Sequence, residues 1–224
     1  MSGGRRGLLA AIGTVFALSG TTLIVVAIAS QERAPVPPPS VSGSLLPASA
    51  LGSLGPQRSE YDSISTVGER LLPQSRPVAI QIPAIGVRSS LLLLGLNADG
   101  TVQVPSGNSY DRAGWYRYSP TPGSIGPAVI LGHVSGNEGA SVFFKLGKLR
   151  PGDRVTISRR DGSVAVFQIT RVRRYPKKHF PTDLVYGNTN HAALRLITCG
   201  GVFNSSTGHF VDNIIAFASL VDSR

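Results

Sequence analysis

The chain has 224 residues, 42% of them hydrophobic and 15% charged, which excludes a disordered polyelectrolyte and a coiled coil. That length holds one ordinary domain plus a tail or anchor, not comfortably two domains. Lys and Arg number 22 against 12 Asp and Glu, a formal charge of +10; the single cysteine, Cys199, excludes an intramolecular disulfide and a zinc site built on paired thiolates.

The run from Gly7 to Ser30 contains no charged residue and follows Arg5-Arg6. About twenty apolar residues at about 1.5 Å each cross a hydrocarbon core of roughly 30 Å. The cationic flank precedes the span, while Glu32 and Arg33 cancel beyond it, so the positive-inside bias puts the N-terminus in the cytoplasm and everything after Ser30 outside. Ala27-Ile28-Ala29 also matches a small-x-small cleavage pattern, but the apolar run is longer than a signal peptide needs, which favours a retained anchor over residues 1–30. Either way the rest of the chain is exported.

Residues 31–76 open with Pro35-Val36-Pro37-Pro38-Pro39 and continue in Ser, Gly, Pro and Leu without sustained periodicity. This reads as a linker, part polyproline II and part flexible coil. From Pro77 to the C-terminus short β-rich runs are punctuated by Gly and Pro. The expected strands are Val78–Ile82, Ser90–Leu96, Thr101–Val104, Ala128–Leu131, Arg154–Ser158, Val164–Tyr175, Leu194–Cys199 and Asn213–Val221. Val164–Ile169 and Ile214–Val221 are apolar on both faces and are expected to be covered on both sides. One short helix is expected, over Gly139–Leu149. Eight or so strands in this length predict an all-β domain, 77–224, closed or nearly closed into a barrel.

Cys199 ends the apolar run Leu194-Arg195-Leu196-Ile197-Thr198 and is followed by Gly200-Gly201. A buried, inert thiol is the usual reading of a free cysteine. A strand that breaks into glycines instead exposes its last side chain at a rim, where glycine amides can approach a substrate. A reactive thiol needs a base or a cation. His133 has the matching setting, at the end of Ala128-Val129-Ile130-Leu131 and between Gly132 and Gly136. His179, His191 and His209 lie in polar loops or turns and read as solvated surface residues.

These segments resemble those of the sortases. Ile82-Pro83-Ala84-Ile85-Gly86-Val87 is similar to the family's first-strand signature, Val129-Ile130-Leu131-Gly132-His133 to the stretch carrying its histidine, and Leu196-Ile197-Thr198-Cys199 to its TLxTC box with Leu196 in place of the leading Thr. Gly200-Gly201-Val202-Phe203-Asn204, Thr207-Gly208-His209-Phe210 and Asp212-Asn213-Ile214-Ile215 resemble the actinobacterial class F branch. The resemblance spans Pro77 to the C-terminus. It implies a closed eight-stranded sortase-like barrel with short helices, behind a transmembrane helix and linker. It also implies cysteine transpeptidase activity: Cys199 attacks the threonine carbonyl of an LPXTG-like sorting signal near the C-terminus of a secreted protein, and His133 serves the departing and incoming amines. The acceptor is an amine of a peptidoglycan precursor. No cofactor or metal is implied.

One departure stands out. Sortases also use an Arg near the start of the last strand, but Gly208-His209-Phe210-Val211-Asp212-Asn213 contains none, and Val211 stands where class F members often have it. Asn213, Arg112, Arg117, Arg173 or the amides of Gly200-Gly201 remain as donors. Arg195 shares a strand face with Cys199 but lies four residues, roughly 13 Å, away. The gap favours an alternative reading, a sortase-like binding module for wall polymer or sorting peptides; a thiol hydrolase of wall peptides is a third. Papain-like enzymes place Cys before His, the reverse of the order here. Eleven Lys or Arg lie between Lys145 and Lys178. In an exported protein they suggest anionic wall polymer or lipid headgroups rather than nucleic acid, or simply solvated strand faces.

Overall fold

The computed structural model describes residues 34, 35, 37, 71–136 and 139–224. The expected anchor and nearly all of the linker lie outside the described residues, among which no helix is long and apolar enough to cross a membrane. Of the linker's opening prolines, Pro37 is buried, and the Pro35 carbonyl covers Gly147 so closely that a Cβ there would collide with it.

Alternation decides what each strand buries. In β1 (Pro77–Ile82), Ile80 and Ile82 are fully buried while Gln81 between them is exposed. The chain continues through β2 (Val87–Leu94), β3 (Ala113–Tyr116) and β4 (Gly126–Leu131), a two-residue ribbon of β5 (Ser135–Gly136) and β6 (Gly139–Ala140), then β7 (Arg154–Arg159), β8 (Val164–Pro176), β9 (Ala192–Asn204) and β10 (His209–Ser223). Eight of these close a barrel in the order β1-β2-β3-β4-β9-β10-β8-β7. The β2–β3 and β4–β9 pairs are parallel and the other neighbours in the barrel antiparallel.

Ile80, Ile82, Ile130, Ile157, Phe167, Leu194, Leu196 and Ile214 fill the interior. A second cluster lies on the outer face of β4, β9 and β10: Val129, Ile197, Ile215 and Phe217, capped by Val185 from a five-residue helix, α1 (Thr182–Tyr186). Strand β10 is therefore buried on both faces over Ile214–Ala218, as its unbroken apolar run predicts.

Three expectations differ. Thr101–Val104 is not a strand: Asp99 accepts from the Thr101 amide and hydroxyl, and the turn leaves one isolated bridge, Leu96 with Val102. The barrel strand is instead β3, whose Gly114 reads as a breaker but is required, because a Cβ would run into the Leu94 side chain. No helix spans Gly139–Leu149. Residues 141–143 run beside His133 and Val134 (Ser141 N→Val134 O 3.1 Å; Phe143 N→His133 O 3.0 Å), and only Leu146–Lys148 coils, as a 3-10 turn. The three-residue spacing of Phe143, Leu146 and Leu149, all buried, serves that tighter turn. Finally, β9 does not stop at Cys199. It passes through Gly200 and Gly201 to Asn204, with Gly201-Val202 opposing the single residue Val211 in a bulge whose glycine takes φ 76°.

Candidate active site

Parity along β9 sends Leu194, Leu196 and Thr198 into the barrel and Arg195, Ile197 and Cys199 onto the outer face. Thr198 is 3% exposed, and its hydroxyl has no partner among the described residues. Cys199 is half-buried.

On the neighbouring parallel strand, Leu131 is registered with Ile197, and the ladder continues through Gly132 N→Ile197 O at 3.1 Å. His133 and Cys199 each lie two residues beyond that pair, so the register puts both positions at the same end of neighbouring strands. Gly132 is required there: a Cβ would meet the side chains of Val142 and Phe143. On the other side of β9, Asn213 of β10 is paired directly with Cys199, and Tyr175 of β8 directly with Asn213.

His133 is held by groups that sequence spacing does not reveal. Its ring stacks on Tyr110, with centroids 3.8 Å apart and planes within 6°. Its Nε2 lies 2.7 Å from the carbonyl oxygen of Pro105, twenty-eight residues upstream. A carbonyl only accepts, so Nε2 carries the proton and Nδ1 is the nitrogen left for chemistry. Both partners sit in the irregular segment between β2 and β3, where neither alternation nor a motif marks them.

The other end of this outer face carries Arg195. It is 7% exposed, its guanidinium stacks on Phe217 at 4.8 Å, and it donates to the carbonyls of Leu184 (3.4 Å) and Leu194 (3.2 Å). Burial, then repulsion from Arg171, lowers its pKa to about 10. The bond to Leu184 ties α1 to the sheet. In α1, burial and then Tyr116 push the Tyr186 phenol above its ordinary range.

Among the candidate donors, Arg117 turns to the Tyr118 hydroxyl (2.7 Å), Arg173 donates to the Val172 carbonyl (3.1 Å), and Arg112 has a buried Nε without a partner among the described residues. Val211 lies in the bulge, 41% exposed. His179 and His209 are exposed, and His191 sits at the entry to β9 with Asn190. Within the basic cluster Arg159 is structural: it is 3% exposed and donates to the Pro73 carbonyl and, at 3.0 Å, to Ser163 Oγ.

Three solved structures share this arrangement of strands. Sortase E1 from Streptomyces coelicolor, solved with a tripeptide in its active site, matches 67% of this chain and 90% of its own at 16% identity and TM-score 0.51. Streptococcus agalactiae sortase C1 matches 68% and 72% at 15% identity and TM-score 0.51. Streptococcus pneumoniae sortase C matches 93% and 90% at 17% identity and TM-score 0.51. Identities this low establish the fold alone, and a search of curated proteins returned no match. The sequence model of the sortase domain, however, matches residues 80–221, from β1 through nearly all of β10 and including His133 and Cys199. The chain belongs to the sortase family.

Proposed function

We propose that this sortase is a cysteine transpeptidase of the class F type, with Cys199 as nucleophile and His133 as general acid and base. The observation that carries the reading is the shared register of Leu131 and Ile197, which sets a half-buried thiol and a histidine with a bare Nδ1 at one end of adjacent strands. His133 Nδ1 takes the proton of the Cys199 thiol, and the thiolate adds to the threonine carbonyl of an LPXTG-like signal. The C–N bond breaks, His133 gives its Nδ1 proton to the leaving glycine amine, and a thioester remains. An amine of a cell-wall precursor then attacks, His133 takes its proton, and the thiolate leaves. The thioester conserves the peptide-bond energy, so no nucleotide cofactor is needed. The class assignment rests on the β9–β10 arm, where Gly200–Asn204 and Thr207–Phe210 carry the class F-like segments.

In this reading residues 1–30 anchor the protein in the cell membrane with the N-terminus inside. Residues 31–76 link, and residues 77–224 act outside on secreted proteins bearing C-terminal sorting signals. The full-length protein incubated with a quenched LPXTG-type peptide and an amine is expected to give the amine adduct, and Cys199→Ala is expected to give none; cleavage persisting in the alanine variant removes the thiol from the mechanism. The absence of Arg from residues 208–213 favours a second reading, a binding module without turnover. A thioester on Cys199, seen by mass spectrometry, eliminates it.

A further inference from the structure

We propose that the side-chain amide of Asn213 donates the hydrogen bond that stabilises the oxyanion formed when Cys199 attacks a carbonyl, an inference that rests on the acyl-transfer reading above. Cys199 and Asn213 are directly opposed across the β9–β10 ladder. Such pairs present their side chains on one face with Cβ atoms about 4.5–5.5 Å apart, within reach of a group bonded to the sulfur. That face is the outer one, because the next pair on it, Ile197 with Ile215, belongs to the outer cluster.

Position also matches the chemistry. Strand β9 lies between β4 and β10, so the thiol has the histidine strand on one side and Asn213 on the other. As the thiolate adds, the carbonyl π pair moves onto oxygen. As the adduct collapses, that pair re-forms the carbonyl and the nitrogen leaves with a proton from His133. Donors to the oxygen and to the leaving nitrogen are needed on different sides of the carbon, as these strands supply them. The Asn213 side chain is half-buried and makes no hydrogen bond among the described residues, so its N–H is uncommitted.

The cations of this sheet stand farther along the ladder from the thiol than Asn213 does. Arg174 pairs with Asp212 at 3.6 Å, Arg173 stands on β8 opposite Ile215 and donates to the Val172 carbonyl, Arg117 follows β3 at its far end, and Arg195 lies four residues along the strand. Arg112 continues the antiparallel register of Gly114 with Leu131 to the level of His133, which leaves it two strands from Cys199, whereas Asn213 stands on the adjacent strand.

The test separates acylation from thiol reactivity. With the full-length protein and a sorting-type peptide, single-turnover thioester formation is expected to slow by about 10²-fold or more in Asn213→Ala. It is expected to slow further in Asn213→Asp, which offers a carboxylate where the N–H stood. Alkylation of Cys199 by iodoacetamide, a displacement at carbon that develops no oxyanion, is expected to keep the wild-type rate in Asn213→Ala. Acylation of that variant at the wild-type rate overturns the inference alone. Equal losses in acylation and alkylation also overturn it, since they report a displaced thiol. A wild-type protein that forms no thioester overturns the transpeptidase reading and this inference together.

Discussion

His133 lies flat against Tyr110, 3.8 Å between centroids, in a contact made by a segment that is not part of the barrel. A stacked aromatic pair contributes about 0.5–1.5 kcal/mol beyond the area it buries. The stack fixes the plane in which the imidazole presents its nitrogens. Tyr110→Ala is therefore expected to lower kcat/KM for a sorting-type peptide by about 3–10-fold. Tyr110→Phe, which keeps the ring, is expected to retain the wild-type value. A loss of equal size in both variants would assign the effect to the hydroxyl instead.

The Pro105 carbonyl makes a separate demand. Because it accepts from Nε2, the neutral ring is held as the Nε2–H tautomer, and the proton exchanged with substrate must reside on Nδ1. Nitrogen NMR of the resting protein is expected to show Nε2 protonated and Nδ1 bare. The opposite pattern would mean that the reacting nitrogen is Nε2 and that the Pro105 contact breaks before chemistry.

Neither contact was legible in the sequence, although most of the barrel was. Val164–Ile169 and Ile214–Val221 announced themselves because burial on two faces demands apolar residues at both parities, and both lie within long strands. His133 and Cys199 stood out because glycines follow or flank them at apolar strand ends. What stayed hidden depends on contacts distant in sequence. Ala113–Tyr116 is a strand whose Gly114 lies under the Leu94 side chain, α1 is five residues docked by Val185 and Arg195, and Tyr110 meets His133 through an irregular loop. The glycines after Cys199 misled in an instructive way: they bend the strand without ending it.

That bend carries a prediction. Gly201 has φ 76°, in the left-handed region, and a Cβ there would fall on the Asp212 carboxylate, which pairs with Arg174 at 3.6 Å. Gly201→Ala is expected to cost about 1–3 kcal/mol of stability, from backbone strain and the displaced carboxylate. Because Asp212 adjoins Asn213 and opposes Gly200 beside the thiol, turnover should fall more than the stability loss alone requires. Thermal unfolding and peptide cleavage on the same sample measure both. Unchanged turnover in a destabilised variant would show that the bulge is structural only.

Arg195 offers the reverse case, a buried cation whose removal should not destabilise the barrel. It has no carboxylate partner among the described residues, and burial lowers its pKa to about 10. Below about 10 both folded and unfolded chains hold the proton, and the folded state bears the cost of keeping a charge out of water. Above about 10, up to the ordinary arginine value, the unfolded chain binds more protons, so stability rises with pH through that window. Arg195→Met, which keeps length and contact with Phe217 without the charge, is expected to be as stable as wild type near neutrality or more stable by about 1–3 kcal/mol. Its advantage should shrink as pH rises past 10. The substitution also removes the donor to the Leu184 carbonyl, so α1 loses its polar tie to β9. Amide exchange in residues 182–186 should therefore accelerate although the protein as a whole unfolds no more easily. A variant that is less stable overall, with α1 exchanging at the wild-type rate, would instead mean that the stack of the guanidinium on Phe217 outweighs its burial.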